Sequence, residues 1–209
     1  MSTRITGLYA ITPDLCDTDV LCGKVDAALA GGARVVQYRN KTAAPALRRE
    51  QASRLLALCN AHRVPLIVND DLALALEIGA DGVHLGKDDG AVAPARTQLG
   101  GTRLLGVSCY DSVERGVAAV ALGADYVAFG SVYPSRVKPD AVRAGMEVFT
   151  AARQHLSVPI VAIGGITLQN ADELVAAKVD AVAVISALFD APDVRKAAQS
   201  FTALFQRSI

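Results

Sequence analysis

The sequence predicts a single (β/α)₈ TIM barrel domain over residues 1–209, and three observations predict it. Short apolar runs alternate with stretches of helical spacing along the whole chain. The runs are apolar throughout rather than at every second residue, as in parallel strands covered on both faces. A small-residue device recurs between helix and strand: Gly31-Gly32-Ala33, Gly79-Ala80-Asp81 and Gly123-Ala124-Asp125, with Lys178-Val179-Asp180 as a degenerate copy. That is internal repetition at the level of one β/α unit. A chain of this length that is 52% hydrophobic can bury a core of barrel size. A doubly wound sheet is the alternative arrangement of the same units. Nothing marks a linker, a second domain or a low-complexity segment.

Gly7–Thr12 reads as the first strand, stopped by Pro13-Asp14. Thr18–Gly31 carries Val20, Leu21, Val25, Ala28 and Leu29 at helical spacing and ends at a glycine pair, a natural helix stop. Val35–Arg39 is the second strand, opened by two β-branched residues. Ala46–His62 is amphipathic through Leu47, Leu55, Leu56 and Leu58. Pro65–Asp70 is the third strand and Leu72–Ile78 a short helix. Gly82–Gly86 is the fourth strand, Pro94–Leu99 a weak helix and Arg103–Cys109 the fifth strand. Asp111 or Ser112 suits the N-cap of a helix running to Leu122. Tyr126–Gly130, Arg143–His155, Pro159–Gly165, Leu168–Ala177, Ala181–Ser186 and a last helix over Val194–Gln206 complete the alternation.

Formal net charge is zero, which gives no footing for nucleic acid or an anionic membrane surface as partner. No apolar run reaches the roughly 18 residues of a membrane span. The N-terminus carries one Arg before the first strand, so no signal peptide is expected. Cys16, Cys22, Cys59 and Cys109 form no C-x-x-C pair and match no zinc spacing. Reduced thiols in a cytoplasmic protein are the expectation. With no Trp and 5% aromatic residues, a large aromatic recognition surface is not expected.

In a parallel barrel, polar residues at the C-terminal strand ends are where chemistry gathers. The run Val35-Val36-Gln37-Tyr38-Arg39-Asn40-Lys41 carries Gln37, Arg39 and Lys41 at period two, on one strand face. Three polar groups on one face are costly to bury unless something pairs with them. Two cations beside an amide suit a polyanion such as a pyrophosphate. An edge strand whose charges face water is the simpler alternative.

Asn69, Asp70 and Asp71 end the third strand, Lys87, Asp88 and Asp89 follow the fourth, and Ser108 ends the fifth. Asp70 and Asp89, at the ends of neighbouring strands, suit Mg²⁺, which one or two carboxylates hold together with phosphates and waters. Helix capping by each Asp is the alternative, and it fits Asp71 and Asp88. The loop after the sixth strand is Tyr133-Pro134-Ser135-Arg136-Val137-Lys138-Pro139. Gly164-Gly165 and Ile185-Ser186 end the last two strands, where backbone N–H groups at a helix start commonly cradle a phosphate. A tight turn without a ligand is the alternative there. His84 reads as a hydrogen-bonded core histidine rather than a catalyst, and His62 and His155 as surface residues. No Ser-His-Asp or Cys-His order is evident. Cations, metal carboxylates and two anion sites without a nucleophile suit electrostatic positioning of a leaving pyrophosphate and a second phosphorylated substrate.

Five motifs add a resemblance: V-Q-Y-R-N-K at 36–41, V-N-D-D at 68–71, G-A-D-G-V-H-L-G at 79–86, G-A-D-Y-V-A-F-G at 123–130 and A-I-G-G-I-T at 162–167. In combination, and over nearly the whole chain from Leu8 to Ala187, the sequence resembles the thiamine-phosphate synthase (thiamine-phosphate pyrophosphorylase) family. The resemblance implies a transferase of thiamine biosynthesis. It joins an aminopyrimidine methyl pyrophosphate to a thiazole ethyl phosphate and releases pyrophosphate by Mg²⁺-dependent dissociative substitution. It implies that Gln37, Tyr38, Arg39, Asn40 and Lys41, with Asn69, Ser108 and Lys138, bind the pyrimidine pyrophosphate. Arg39, Lys41, Ser108 and Lys138 are the catalytic residues in that reading, and Asp70 and Asp89 hold one Mg²⁺ per subunit. Ser135, Arg136, Val137, Gly165, Ile185 and Ser186 bind the thiazole phosphate. The implied partners are these small molecules, with no nucleic acid and no membrane; homo-oligomerisation stays open.

A thiazole tautomerase of the same fold is the rival enzyme. It relies on a histidine just after strand five, where this chain has Tyr110, and it has no need of Gln37, Arg39, Lys41, Asp70 and Asp89 as a set. A non-catalytic paralogue that binds thiamine precursors is the rival outside catalysis, and the retained carboxylates argue against it. The chain departs from the family pattern at Val137, where many members carry a second threonine before the lysine. One missing neutral hydrogen bond costs about 0.5–1.5 kcal/mol, which weakens phosphate binding without abolishing activity. Val137→Thr is therefore expected to leave turnover equal or improved, through a lower KM for a phosphorylated substrate; steady-state kinetics with each substrate varied checks this.

Overall fold

The computed structural model describes residues 5–86, 91–134 and 143–206. Among these residues, β1 (Gly7–Ile11), β2 (Val35–Tyr38), β3 (Leu66–Asn69), β4 (Gly82–Leu85), β5 (Leu104–Tyr110), β6 (Tyr126–Phe129), β7 (Ile160–Ile163) and β8 (Ala181–Val184) run parallel in sequence order. β8 closes on β1 through pairs such as Tyr9 with Ala183, which makes the sheet a barrel and rules out the doubly wound alternative. Around it lie α1 (Thr18–Ala30), α2 (Pro45–His62), α3 (Leu72–Ile78), α4 (Val92–Leu99), α5 (Val113–Ala121), α6 (Glu147–His155), α7 (Ala171–Ala176), α8 (Ser186–Phe189) and α9 (Val194–Gln206).

Apart from Gln37, Asn69, His84 and Ser108, the strands are apolar on both faces because each face meets a different core. Side chains of one parity fill the barrel interior, among them Tyr9, Val35, Ile67, Tyr126, Ala128, Val161 and Ala183. The other parity, including Val36, Val68, Val83, Leu105 and Phe129, packs under the helices. The interior is narrow at β4 and β5: a Cβ on Gly106 would overlap the Tyr126 ring, and one on Gly82 the Leu104 carbonyl.

The repeated small-residue device has a structural purpose. Its aspartates reach across to the first residues of the preceding odd-numbered strand. Asp81 Oδ2 accepts the Leu66 N–H at 2.8 Å, Asp125 Oδ2 the Leu105 N–H at 2.7 Å, and Asp180 Oδ2 the Ile160 N–H at 2.8 Å. Arg96 donates to Asp125, and Arg153 to Asp180. The carboxylates thus tie neighbouring strands at the N-terminal end of the barrel, the end that carries stability rather than chemistry. A glycine one or two residues past each preceding helix takes a positive φ, +100° at Gly32, +71° at Gly79 and +99° at Gly123.

Several expected boundaries shift, each for a local reason. β3 stops at Asn69 because Asp70 turns left-handed at φ +64°, and β7 stops at Ile163 because Gly164 and Gly165 do the same. α7 begins at Ala171 because Thr167 donates its N–H to Asn170 Oδ1 at 2.8 Å, making residues 167–170 a turn instead of a first helical turn. α6 begins at Glu147, after Ala144 has bonded back to the Ser131 carbonyl at 3.0 Å. β5 runs on to Tyr110, with a register shift against β6 between Ser108 and Tyr110. α8 was not anticipated; its four residues follow directly on the eighth strand. The Ser112 side chain caps α5, and Asp71 caps α3.

In the degenerate copy the positive φ falls on Lys178, at +60°. A left-handed conformation costs a non-glycine residue roughly 1–2 kcal/mol, while glycine itself loses more chain entropy on folding. Lys178→Gly is expected to raise stability by up to about 1 kcal/mol, and thermal unfolding checks this; a lower Tm would show that the lysine side chain contributes more than its backbone costs.

Candidate active site

The C-terminal mouth of the barrel opens into a cavity of about 320 Å³. Gln37, Arg39 and Lys41 line it together from the end of β2, as their shared parity requires. Asn69, Asp70, Ser108, Gly165, Ile185 and Ser186 line it from four further strand ends and the start of α8. Tyr38 and Asn40 have the opposite parity and turn toward α2. The Tyr38 hydroxyl donates to Gln51 Oε1 at 2.9 Å, and burial holds its proton well above the usual phenol range. Asn40 donates to the Leu15 carbonyl at 2.9 Å and accepts the Ala43 N–H at 3.0 Å, which shapes the loop after β2. A second, smaller hollow beside the mouth includes Tyr38, Asn40, Lys41, Asn69 and Asp70. Asp89, Ser135, Arg136, Val137 and Lys138 lie outside the described residues.

The cations are held in place by groups the sequence reading did not single out. Asp14, just after β1, takes Arg39 Nη1 on both carboxylate oxygens at 3.1 and 3.2 Å. Its Oδ1 also accepts the Lys41 N–H at 2.9 Å. Thr12, fully buried, bonds the Arg39 backbone twice: its Oγ1 donates to the Arg39 carbonyl at 2.9 Å and accepts the Arg39 N–H at 2.8 Å. Lys41 Nζ stands 3.6 Å from Asp70 Oδ2, with the lysine side chain half exposed. Fixed cations beside a carboxylate at a cavity mouth form a ready site for a phosphate-bearing ligand and a hard cation.

The cavity floor is polar. Gln37 Nε2 donates to Tyr9 Oη at 2.8 Å, and Tyr9 Oη lies 2.8 Å from Tyr126 Oη. Tyr126 Oη lies 3.1 Å from His84 Nδ1, and His84 Nε2 lies 2.9 Å from Ser108 Oγ. His84 is thus the hydrogen-bonded interior histidine that its strand position suggests, and it also reaches the cavity wall. Tyr9 and Tyr126 sit inside apolar runs, where only their identity as tyrosines hints at a polar end.

At β7 the two glycines are required by the chain itself. A Cβ on Gly164 would overlap Ser131, and one on Gly165 the Pro134 carbonyl, so the segment after β6 lies directly against this turn. The Tyr133 hydroxyl anchors that segment to α7 through the Asn170 carbonyl and Glu173 Oε2, each at 3.1 Å. Tyr110, at φ +57°, also lines the cavity. Burial pushes the Cys59 and Cys109 thiols up to about 12, so neither serves as a nucleophile. Among the described residues no group of three or more His, Cys, Asp or Glu side chains gathers to hold a metal.

Fold and site together define a barrel enzyme with a cation-lined mouth. The chain belongs to the thiamine monophosphate synthase family, whose model matches residues 8–188. It is 54% identical to the thiamine-phosphate synthase of Thiobacillus denitrificans over 98% of this chain and 97% of that one. It is 52% identical to that of Aromatoleum aromaticum over 97% and 98%. The thiamine phosphate pyrophosphorylase structure from Pyrococcus furiosus superposes with a TM-score of 0.88 at 33% identity, covering 99% of this chain and 98% of that one. The chain is accordingly a transferase of thiamine biosynthesis.

Asp14→Asn keeps an acceptor for the Lys41 N–H but removes the charge that orients Arg39. The KM for a pyrophosphate-bearing substrate is expected to rise about three- to tenfold, the scale of one lost hydrogen bond, with little change in Tm. An unchanged KM would show that Arg39 finds its position without Asp14.

Proposed function

We propose that this barrel joins an aminopyrimidine methyl pyrophosphate to a thiazole ethyl phosphate, releasing pyrophosphate and forming thiamine phosphate. The observation that carries the reading is the convergence of Gln37, Arg39, Lys41 and Asp70 on one cavity. An amide serves the heterocycle, and two cations and a carboxylate serve its pyrophosphate. The chemistry asked of the protein is separation of charge, and fixed cations are the groups that stabilise a departing pyrophosphate.

In this reading Arg39, held by Asp14, and Lys41 take the pyrophosphate oxygens as negative charge builds on them. Asn69 and Ser108 orient the pyrimidine, so that its methylene faces the second substrate as the bond to pyrophosphate breaks. Gly165, Ile185 and Ser186, which line the same cavity, would take the thiazole phosphate. Holding both substrates in one small cavity supplies much of the rate, because it replaces an encounter of two molecules with one bound geometry. The walls also limit water, which competes for the electron-poor methylene. Ser135, Arg136, Val137 and Lys138 complete the phosphate contacts in the same reading.

Mg²⁺ suits the residues present. Asp70 is a cavity-facing carboxylate beside a cation-lined phosphate site, and a single carboxylate with phosphate oxygens and waters is a usual Mg²⁺ environment. Asp70, with Asp89, would hold the ion, which when bound neutralises the leaving pyrophosphate. Small molecules are the partners. Among the described residues no helix is long and apolar enough to cross a membrane.

The deciding experiment mixes the purified protein with both substrates and Mg²⁺ and follows pyrophosphate and thiamine phosphate together, with EDTA and Asp70→Ala as controls. Equal, Mg²⁺-dependent formation of both products is expected, with most turnover lost in Asp70→Ala and its unfolding unchanged. Normal activity in Asp70→Ala would remove it from the metal site. Binding of both substrates without product would make the chain a precursor-binding paralogue.

A further inference from the structure

The polar chain across the cavity floor links two residues of the site that do not touch each other. Gln37 stands at one end, on β2, and Ser108 at the other, on β5. Between them Tyr9, Tyr126 and His84 make a continuous path with no step longer than 3.1 Å. Tyr9 and Tyr126 are about 1% exposed or less, and His84 is 7% exposed. The His84 ring tilts against the Tyr126 ring, with centroids 5.6 Å apart. Gly106 leaves the space for both: a Cβ there would overlap the phenol and lie 2.6 Å from His84 Nδ1.

The direction of these bonds follows from the Gln37 amide, whose Nε2 faces Tyr9, together with the donor count of a neutral His84 ring. A phenol carries one hydrogen, and a neutral imidazole carries one N–H and one acceptor nitrogen. Burial raises the pKa of both tyrosines, so each keeps its proton. With Gln37 Nε2 donating to Tyr9, the Tyr9 hydrogen goes to Tyr126, and the Tyr126 hydrogen to His84 Nδ1. His84 then bears its proton on Nε2 and donates it to Ser108 Oγ. The Ser108 hydrogen is left to point into the cavity, while Gln37 keeps Oε1 as its unused acceptor. Each end is thereby given the polarity opposite to the other.

We propose that His84, Tyr126 and Tyr9 are positioning residues that fix Ser108 as a hydrogen-bond donor and Gln37 as an acceptor toward the same ligand. A heterocycle carrying one N–H donor and one ring-nitrogen acceptor meets both ends at once; an aminopyrimidine has that pattern. The identity of this ligand rests on the activity proposed above, whereas the direction of the relay does not.

Two measurements test it. The first is the ¹⁵N NMR spectrum of the His84 imidazole in the ligand-free protein, where a neutral ring protonated on Nε2 is expected. A ring protonated on Nδ1, or on both nitrogens, overturns the assignment even if the enzyme has a different substrate. The second is a double-mutant cycle on kcat/KM with Tyr126→Phe and Ser108→Ala. Tyr126→Phe is expected to lower kcat/KM about tenfold, the scale of one misdirected hydrogen bond. It does so through the KM of the pyrimidine substrate and not of the thiazole phosphate. In the Ser108→Ala background the same substitution is expected to change kcat/KM less than about twofold. Equal losses in both backgrounds, or wild-type kinetics in Tyr126→Phe, overturn the proposal, since a merely structural phenol acts regardless of Ser108. If Tyr126→Phe does not fold, the ¹⁵N spectrum of the His84 imidazole decides alone.

Discussion

A polar floor inside an apolar barrel is the constraint on which the rest of this structure turns. Tyr9, Gln37, His84 and Tyr126 would each destabilise the interior if left unpaired, by roughly 1–3 kcal/mol per group. They pair with one another instead, in a path that crosses from β1 to β2 on one side and through β6 and β4 to β5 on the other. Below that floor the barrel is filled by Ile5, Val35, Ile67 and Ala181. Above it the cavity begins. The floor therefore sets the depth of the site, and its bonds require the strands to keep the register seen in the barrel. Gly106 is part of the same constraint, since only a residue without a side chain leaves room for the tyrosine ring beside it.

The two ends of the barrel divide the work. At the N-terminal end, Asp81, Asp125 and Asp180 use their carboxylates on backbone N–H groups, and the last two also on arginines. At the C-terminal end, Arg39, Lys41 and Asp70 are oriented from the side or from behind and face the cavity. Asp14 and Thr12 do this for Arg39, so the ordering of its guanidinium is complete before any ligand arrives. Such preorganisation spares the reaction the reorientation of solvent and side chains that charge separation otherwise demands.

Much of this was legible in the residues, and the illegible part has a common cause. The period-two run Gln37, Arg39, Lys41 exposed its shared face because strand parity is a local property. The Gly-Ala-Asp repeats announced the β/α unit, but the partner of each aspartate is a backbone group on another strand, and no local pattern names it. Asp14 was visible only as a turn residue for the same reason. Tyr9 and Tyr126 sit in apolar runs where an aromatic ring reads as core, and their hydroxyl partners are brought together only by barrel closure. His84 was legible as a bonded interior histidine, though not that its bond runs to Ser108. Tyr38 and Asn40 lie in the family's binding run yet face α2, a distinction that parity alone makes.

Asp70 has a further consequence for how this chain can change. Its backbone is held at φ +64°, a conformation that glycine adopts without strain and asparagine tolerates. Either replacement would relax the turn after β3 and remove a negative charge from a cavity mouth. Under the metal-holding role proposed for Asp70, stability and turnover pull in opposite directions at this one position.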